Sequence, residues 1–321
     1  MPRVSVIIPS FNAALWLRDA VDSVRAQDFA DWEIVIVDDC SSDAASRELA
    51  RSLAAPNVRV LFHEQNRGVA AARNTAIRAA QGEILVPLDP DDLLPQGALL
   101  AAVRVFDESK CEFVFGPHEQ LDWLSGASRI SDPGPDARAS EGMGQPWHGC
   151  MPFRKSLWDK LGGYDEWRGF AGLDDWHFWL RAEAAGAKGG YCRATLYRYR
   201  MRPGSISNEC RPEWFEASLR TFGDLPPGTL KAALKRRIIV ARARQAAPYG
   251  RKREKPLKAA GFALRGLARV PWSAGTWKTL AGCLLEAIVP PLRARYTKLR
   301  AHDEQEQARL ETQLRAKAHA A

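Results

Sequence analysis

Short runs of β-branched and aliphatic residues open the chain and recur through its first ninety positions. Val4-Ser5-Val6-Ile7-Ile8 ends at Pro9, Ile34-Val35-Ile36-Val37 at Asp38-Asp39, and Ile84-Leu85-Val86 at Pro87-Leu88-Asp89. Between them, Leu15, Leu17, Ala20, Val21 and Val24 recur at helical spacing, as do Leu49 and Leu53. Val58-Arg59-Val60-Leu61 reads as a third strand, and residues 70–80 as an Ala-rich helix stopped near Gly82. The spacing predicts four strands alternating with helices, the pattern of an α/β fold with a mainly parallel sheet and helices on both faces. Runs that are apolar throughout, rather than alternating, fit strands buried on both sides.

The periodicity fails over residues 116–148, which are rich in Gly, Pro, Ser, Asp and Trp. They predict a long loop-rich segment, the usual place for an acceptor site. Residues 157–163 predict a short helix with a Gly stop, 174–185 an aromatic-rich helix, and 191–199 a strand. Pro226-Pro227-Gly228 marks a boundary. Beyond it, 230–247 and 256–269 read as basic amphipathic helices, and 293–318 as a long charged helix. Its repeated apolar positions, Leu299, Leu310 and Leu314, are too few for a coiled coil. No apolar run reaches the length of a spanning helix; the best, residues 276–292, is broken by Lys278, Glu286 and Pro290-Pro291. The N-terminal run is too short for a signal peptide.

Composition changes this picture in two ways. With 46% hydrophobic and 26% charged residues over 321 positions, the chain is neither disordered, collagenous nor a disulfide scaffold. Its six scattered cysteines form no C-x-x-C pair, which fits free thiols in a reducing compartment. The net charge of +8 is unevenly placed. Residues 1–224 carry 25 Lys+Arg against 32 Asp+Glu, whereas residues 225–321 carry 21 against 6, a net of +15. An acidic body followed by a basic tail suggests a body that holds cations or neutral ligands and a tail that meets an anionic surface. The plainer alternative for the tail is a solvated helical face.

Ligands of open α/β sheets bind outside the carboxyl ends of the strands. Those ends carry Pro9-Ser10-Phe11-Asn12, Asp38-Asp39 with Ser41, Ser42 and Asp43, and Asp89-Pro90-Asp91-Asp92. Carboxylates converging there repel unless a cation or hydrogen-bond donors join them. An oxygen-rich cluster suits Mg²⁺ or Mn²⁺, which hold phosphates through few protein ligands. Each cluster alone could also be a turn leading into a helix cap.

The chain resembles the family 2 glycosyltransferases, inverting enzymes of the GT-A (Rossmann-like) fold, here of bacterial envelope-polysaccharide type. The residues that carry the resemblance are the first two strand ends, Asn66-Arg67-Gly68-Val69-Ala70-Ala71-Ala72-Arg73-Asn74, the DxD-like Leu88-Asp89-Pro90-Asp91-Asp92, Gly163-Tyr164-Asp165-Glu166, and Asp174-Asp175-Trp176. These motifs stand in the family's order over about residues 3–210. The resemblance implies a glycosyltransferase domain at 1–224, with a nucleotide-sugar half (1–115) and an acceptor half (116–224), followed by a basic, mainly helical extension (225–321).

The resemblance also implies roles. Pro9, Phe11 and Asn12 lie at the nucleotide, with Phe11 flanking the base. Asp39 accepts a hydrogen bond from the base edge, which suits a uracil imide N–H and hence a UDP-sugar. Arg73 sits beside the nucleotide and the DxD turn, Asp89 faces the ribose side, and Asp91 ligates a divalent metal, Mn²⁺ or Mg²⁺. Asp175 is the catalytic base, with Asp174 supporting the loop or binding the acceptor, because inverting transfer needs one carboxylate facing the acceptor hydroxyl. A retaining hydrolase would need two carboxylates about 5 Å apart. Arg200 and Arg202, in Tyr197-Arg198-Tyr199-Arg200-Met201-Arg202, stand where relatives place His or Arg over the diphosphate; a basic edge strand is the alternative. Trp147, His148 and Trp176 are expected at the acceptor, and His177 is a surface or packing residue.

The expected reaction is transfer from a nucleotide-diphosphate sugar to a glycan or lipid-linked acceptor. The expected place is the cytoplasm, peripheral on the inner membrane face, where the basic tail meets anionic lipid. Nucleic acid is not an expected partner, since the tail interleaves few aromatics and holds no recognisable module. The rival readings are an inactive nucleotide-sugar-binding homologue and a nucleotidyltransferase, although Pro9-Ser10-Phe11-Asn12 is no Gly-rich phosphate loop.

Overall fold

Every residue of strand β1 (Val4–Ser10) is buried, because β1 lies between two parallel neighbours and under helices. On one side runs β2 (Trp32–Asp38), with Val6 opposite Ile34. On the other runs β4 (Ile84–Pro87), with Val6 opposite Val86. β3 (Val58–Phe62) pairs parallel with the outer edge of β2. Beyond β4 come the antiparallel two-residue β8 (Phe153–Arg154), then β5 (Phe113–Phe115), then β9 (Gly189–Tyr191), parallel to β5. The sheet order is β3-β2-β1-β4-β8-β5-β9. This is the expected mixed α/β architecture with a mainly parallel sheet. The computed structural model describes residues 1–137, 149–167, 172–202, 213–229, 235, 238–239, 256–270, 273, 276–281, 284 and 309.

Helices form where the apolar residues repeat. α1 (Leu17–Arg25) buries Leu17, Ala20, Val21 and Val24, one stripe at helical spacing. α2 (Ala44–Ser52) starts at Asp43, whose carboxylate accepts from the Ser46 N–H at 2.7 Å. α3 (Val69–Ala79) packs on β1 and β2 and starts at Gly68, whose φ of +94° a side chain would strain. α4 (Ala98–Glu108), α5 (Lys155–Leu161) and α6 (Asp174–Ala184) complete the layers. The short β8 is held by packing more than by its ladder. Phe153 is fully buried, with ring centroids 5.3 Å from Phe178 and 5.8 Å from Trp179. Truncating such a Phe costs about 3–5 kcal/mol, against about 1 kcal/mol for one ladder hydrogen bond.

Two segments differ from expectation. Residues 116–148 are not loop throughout: β6 (His118–Asp122) and β7 (Ser128–Ser131) form a hairpin. The predicted strand at 191–199 is two strands. β9 ends at Tyr191, and β10 (Tyr197–Met201) starts in a second sheet of order β10-β6-β7. The chain changes sheets between them, with the Cys192 N–H on the Phe115 carbonyl and the Leu196 N–H on the Pro117 carbonyl.

The chain divides into two compact units, Met1–Arg202 and Pro203–Ala321. The second contains α7 (Glu213–Asp224) and α8 (Pro256–Arg269). Ala260, Ala263, Leu267 and Leu280 form an apolar cluster there. The predicted helices at 230–247 and 293–318 lie largely outside the described residues. Among the described residues no disulfide joins Cys40, Cys111, Cys150 or Cys192. No helix described is long and apolar enough to cross a membrane.

Candidate active site

Because β1, β2 and β4 are parallel, their carboxyl ends open onto one edge. Ser10 pairs with Asp38, and Ile7 with Pro87. Pro9 is a buried strand residue, while Phe11 just beyond it is 46% exposed. Asn12 and Cys40 take left-handed backbone, φ 51° and 59°. Asn12 clips the two loops together: its side-chain Oδ1 accepts from the Ser42 N–H at 2.8 Å, and its backbone N–H donates to Ser41 Oγ at 2.9 Å. Asp38 turns inward and accepts from the Ser41 N–H and hydroxyl. It fastens the loop, which leaves Asp39 as the acidic residue toward the edge.

Asp39 sits in a nest of donors. Its Oδ1 accepts from the Arg67 N–H at 2.9 Å and lies 2.6 Å from His63 Nδ1; its Oδ2 accepts from the Gly68 N–H at 2.6 Å. A carboxylate only accepts, so His63 donates through Nδ1, while its Nε2 lies 3.0 Å from the Thr75 hydroxyl. Sequence reasoning overlooks His63: it follows the last residue of β3 in an unremarkable context, and only the register of β2 with β3 sets it beside Asp39.

Arg73 joins two distant motifs. Buried on α3, it donates to Asp89 Oδ1 at 2.6 Å and to Asp174 Oδ2. Burial works against its charge, but Asp89 and Asp174 outweigh it and hold the guanidinium well above its usual pKa. The adjoining Asp175 is only partly accessible. Burial first, and then the neighbouring Asp174, push its pKa up to about 7; Arg73 pulls against both. Its Oδ1 accepts from the Trp176 N–H at 2.7 Å. A Cβ at Gly149 would lie 3.0 Å from Asp175 Oδ2, so that glycine leaves the carboxylate its room.

The Asp89-Pro90-Asp91-Asp92 turn is anchored from β10. Asp92 is buried and accepts from the Tyr197 hydroxyl and, at 2.7 Å, from the Arg200 N–H. Burial raises its pKa well above the carboxylate range, and Asp91 and Asp89 add to the effect. Arg200 is 1% exposed. It donates to the Asp91 carbonyl at 2.5 Å and to Asp19 Oδ2 at 2.7 Å, with its guanidinium 5.0 Å from the Trp16 ring and 5.2 Å from Trp123. Arg202 donates to Asp91 Oδ2. Trp16, Asp19 and Trp123 were not legible as site neighbours, since the first two open α1 and the third follows β6, far from β10 in the chain. The expected repulsion among these carboxylates is thus met by protein donors.

Asn74, next to Arg73 on α3, is a hub. It donates to the Tyr164 carbonyl at 2.8 Å and to Glu166 Oε1 at 3.0 Å, and accepts from Trp158 Nε1 at 3.0 Å. It thereby ties Gly163-Tyr164-Asp165-Glu166 to α3. Trp176 and His177 are both buried in α6, so His177 is a packing and not a surface residue. Trp147 and His148 lie outside the described residues.

Residues 5–172 match the family model described as Glycosyl transferase family 2. The putative teichuronic acid biosynthesis glycosyltransferase TuaG of Bacillus subtilis is 39% identical over 116 residues, covering 36% of this chain and 46% of that protein. The Escherichia coli UDP-Glc:alpha-D-GlcNAc-diphosphoundecaprenol beta-1,3-glucosyltransferase WfgD is 33% identical over 119 residues, 37% of this chain and 47% of that protein. The chain therefore spans less than half the length of these relatives. Among solved structures, S. aureus TarS 1-349 in complex with UDP superposes with a TM-score of 0.57 at 19% identity, covering 94% of this chain and 88% of that one. At that identity the likeness speaks for the fold.

Proposed function

The chain belongs to glycosyl transferase family 2, its match covering half of its length, and from that membership we propose an inverting transfer of a sugar from a UDP-sugar to a glycan or lipid-linked acceptor. The observation that carries this reading is the Asp89–Arg73–Asp174 bridge. One buried guanidinium holds the donor-side turn and the acceptor-side helix together, and Asp175 is the next residue along. The named donor and lipid-linked acceptor of the E. coli relative point the same way.

In the proposed reaction the acceptor oxygen attacks the anomeric carbon as Asp175 takes its proton, and the bond from that carbon to the diphosphate oxygen breaks. A base with a pKa near 7 is matched to this work at neutral pH, where a carboxylate at its ordinary value would pull weakly. Asp174, locked on Arg73, holds the helix start in place. Asp39 has an Oδ2 lone pair beyond the one taken by Gly68, which suits the imide N–H of uracil, with Phe11 flanking the base and Pro9 and Asn12 shaping the loop. Arg200 braces the DxD turn from behind.

The donor set fits a hard cation. Asp89 and Asp91 offer only carboxylate oxygens, and the Arg202 guanidinium on Asp91 already marks a place that calls for positive charge. Asp91, with Asp89 beside it, would hold Mn²⁺ or Mg²⁺, which when bound supplies charge to offset the departing diphosphate. A thermal-shift screen of UDP-, GDP- and dTDP-sugars with and without Mn²⁺ tests the donor reading. Stabilisation by UDP-sugars that grows with Mn²⁺ supports it, and a response to GDP-sugars alone overturns it.

The proposed catalytic domain is 1–224, and residues 225–321 are proposed to rest on an anionic cytoplasmic membrane face. Leu264, Trp277 and Leu284 are more than 40% exposed in this strongly basic region. Each engaged Lys or Arg contributes about 1 kcal/mol at such a surface, and inserted Trp and Leu add a part that salt does not screen. The full chain should float with phosphatidylglycerol vesicles and not with neutral phosphatidylcholine vesicles. Sedimentation with both at low salt contradicts the membrane reading.

A further inference from the structure

A carboxylate offers roughly two donor places on each oxygen. On Asp39 both places of Oδ1 are filled from within the chain, by the Arg67 N–H at 2.9 Å and by His63 Nδ1 at 2.6 Å. On Oδ2 the Gly68 N–H takes one place, at 2.6 Å. These donors come from two directions. Arg67 and Gly68 lie on the turn into α3, whereas His63 follows β3, and its Nε2 stands 3.0 Å from the Thr75 hydroxyl on α3. The side chains of His63 and Asp39 are 8% and 4% exposed, so ring and carboxylate hold each other inside the fold. His63 thus keeps the carboxylate from turning and leaves a single lone pair, on Oδ2, for a ligand.

We propose that His63 is a specificity-determining residue: by keeping Asp39 Oδ1 occupied, it reserves Asp39 for a base edge with a single N–H, the imide edge that uracil carries, and turns away the edge of guanine. This rests on the reading of Asp39 as the partner of the donor's base. The imide edge presents one N–H between two carbonyls, which one lone pair satisfies. The guanine edge presents a ring N–H and an exocyclic amine side by side, a pair that suits both oxygens of a carboxylate. With Oδ1 taken, the amine has no acceptor on Asp39, and a site that leaves a polar group unpaired rejects the ligand that carries it. Without His63 the carboxylate can turn both oxygens toward such a pair. Uracil then loses a fixed acceptor, whereas guanine loses the same fixity and gains a second acceptor. His63 therefore acts on the choice between bases and not only on the strength of binding.

The test is calorimetric titration of the full chain with UDP and with GDP at saturating Mn²⁺, for wild type, His63→Ala, His63→Asn and Asp39→Asn. Wild type should bind UDP about tenfold or more tightly than GDP, as one unpaired donor implies. His63→Ala should weaken UDP about tenfold and GDP less than about twofold, so that the preference falls by about fivefold or more. His63→Asn, whose amide offers an N–H in place of Nδ1, should keep most of the preference. His63→Leu keeps most of the ring's volume without the N–H and takes the place of His63→Ala if that variant misfolds. Equal weakening of UDP and GDP in a folded His63→Ala or His63→Leu makes His63 a structural support and overturns the proposal. A preference lost as fully in His63→Asn as in His63→Ala overturns it too. Undiminished UDP binding in Asp39→Asn instead overturns the reading of Asp39 as the base's partner, so the two failures are distinguishable.

Discussion

Replacing Arg73 with methionine removes the guanidinium that joins the two halves of the site while keeping most of its volume. The two ion pairs it breaks differ in environment: the side chain of Asp174 is 3% exposed, that of Asp89 33%, and Arg73 itself 4%. An exposed pair contributes about 0.2–1 kcal/mol, whereas deleting one partner of a buried pair costs about 3–5 kcal/mol because a charge is left unpaired. The Asp174 side therefore sets the loss, at about 3–5 kcal/mol. At about 2–4 °C per kcal/mol for a unit of this size, Tm should fall by roughly 6–20 °C at pH 8. Arg73 lowers the pKa of both Asp174 and Asp175, so both rise without it. Protonation of Asp174 relieves the burial of its charge, so the Tm deficit should shrink as the pH is lowered. The limb of kcat/KM that rises with pH through about 7 should move to higher pH, since Asp175 must lose its proton to act. Differential scanning fluorimetry and a pH–rate series measure both. A variant within about 2 °C of wild type at pH 8, with its acid limb unmoved, refutes the reasoning.

Two further outcomes follow from groups that support the proposed catalytic residues. His63→Ala, which leaves Asp39 Oδ1 without its ring partner, should raise donor KM by roughly tenfold with kcat nearly unchanged, and His63→Asn should recover part of it; initial-rate kinetics decides. Gly149→Ala, whose Cβ would crowd Asp175 Oδ2, should lower kcat on the order of tenfold while UDP affinity by calorimetry stays at the wild-type value.

The strands that build the sheet edge were legible because they are buried on both faces and so read as unbroken apolar runs: β1, β2 and β4 each end in the cluster expected of them. The hairpin of β6 and β7 was not. His118-Glu119-Gln120-Leu121-Asp122 and Ser128-Arg129-Ile130-Ser131 are half-buried or exposed, and strands with so little buried face carry no apolar signal. β8 was hidden for another reason. It is two residues long, and its place between β4 and β5 is decided by the packing of Phe153 against α6. Of the candidate site, the motif carboxylates were legible one by one, but their partners were not. Arg73 reaching Asp174, a hundred residues away, and Trp16 and Trp123 closing over Arg200 depend on how the elements meet. His63 carries no local mark at all.

Whether Asp175 takes the acceptor's proton is measured most directly by the kcat of Asp175→Asn with the donor chosen by the thermal-shift screen. The amide keeps the shape and removes the basicity. Turnover should fall by about 10² or more while UDP affinity by calorimetry stays at the wild-type value. Wild-type turnover, or a loss that lies wholly in UDP binding, would contradict the account.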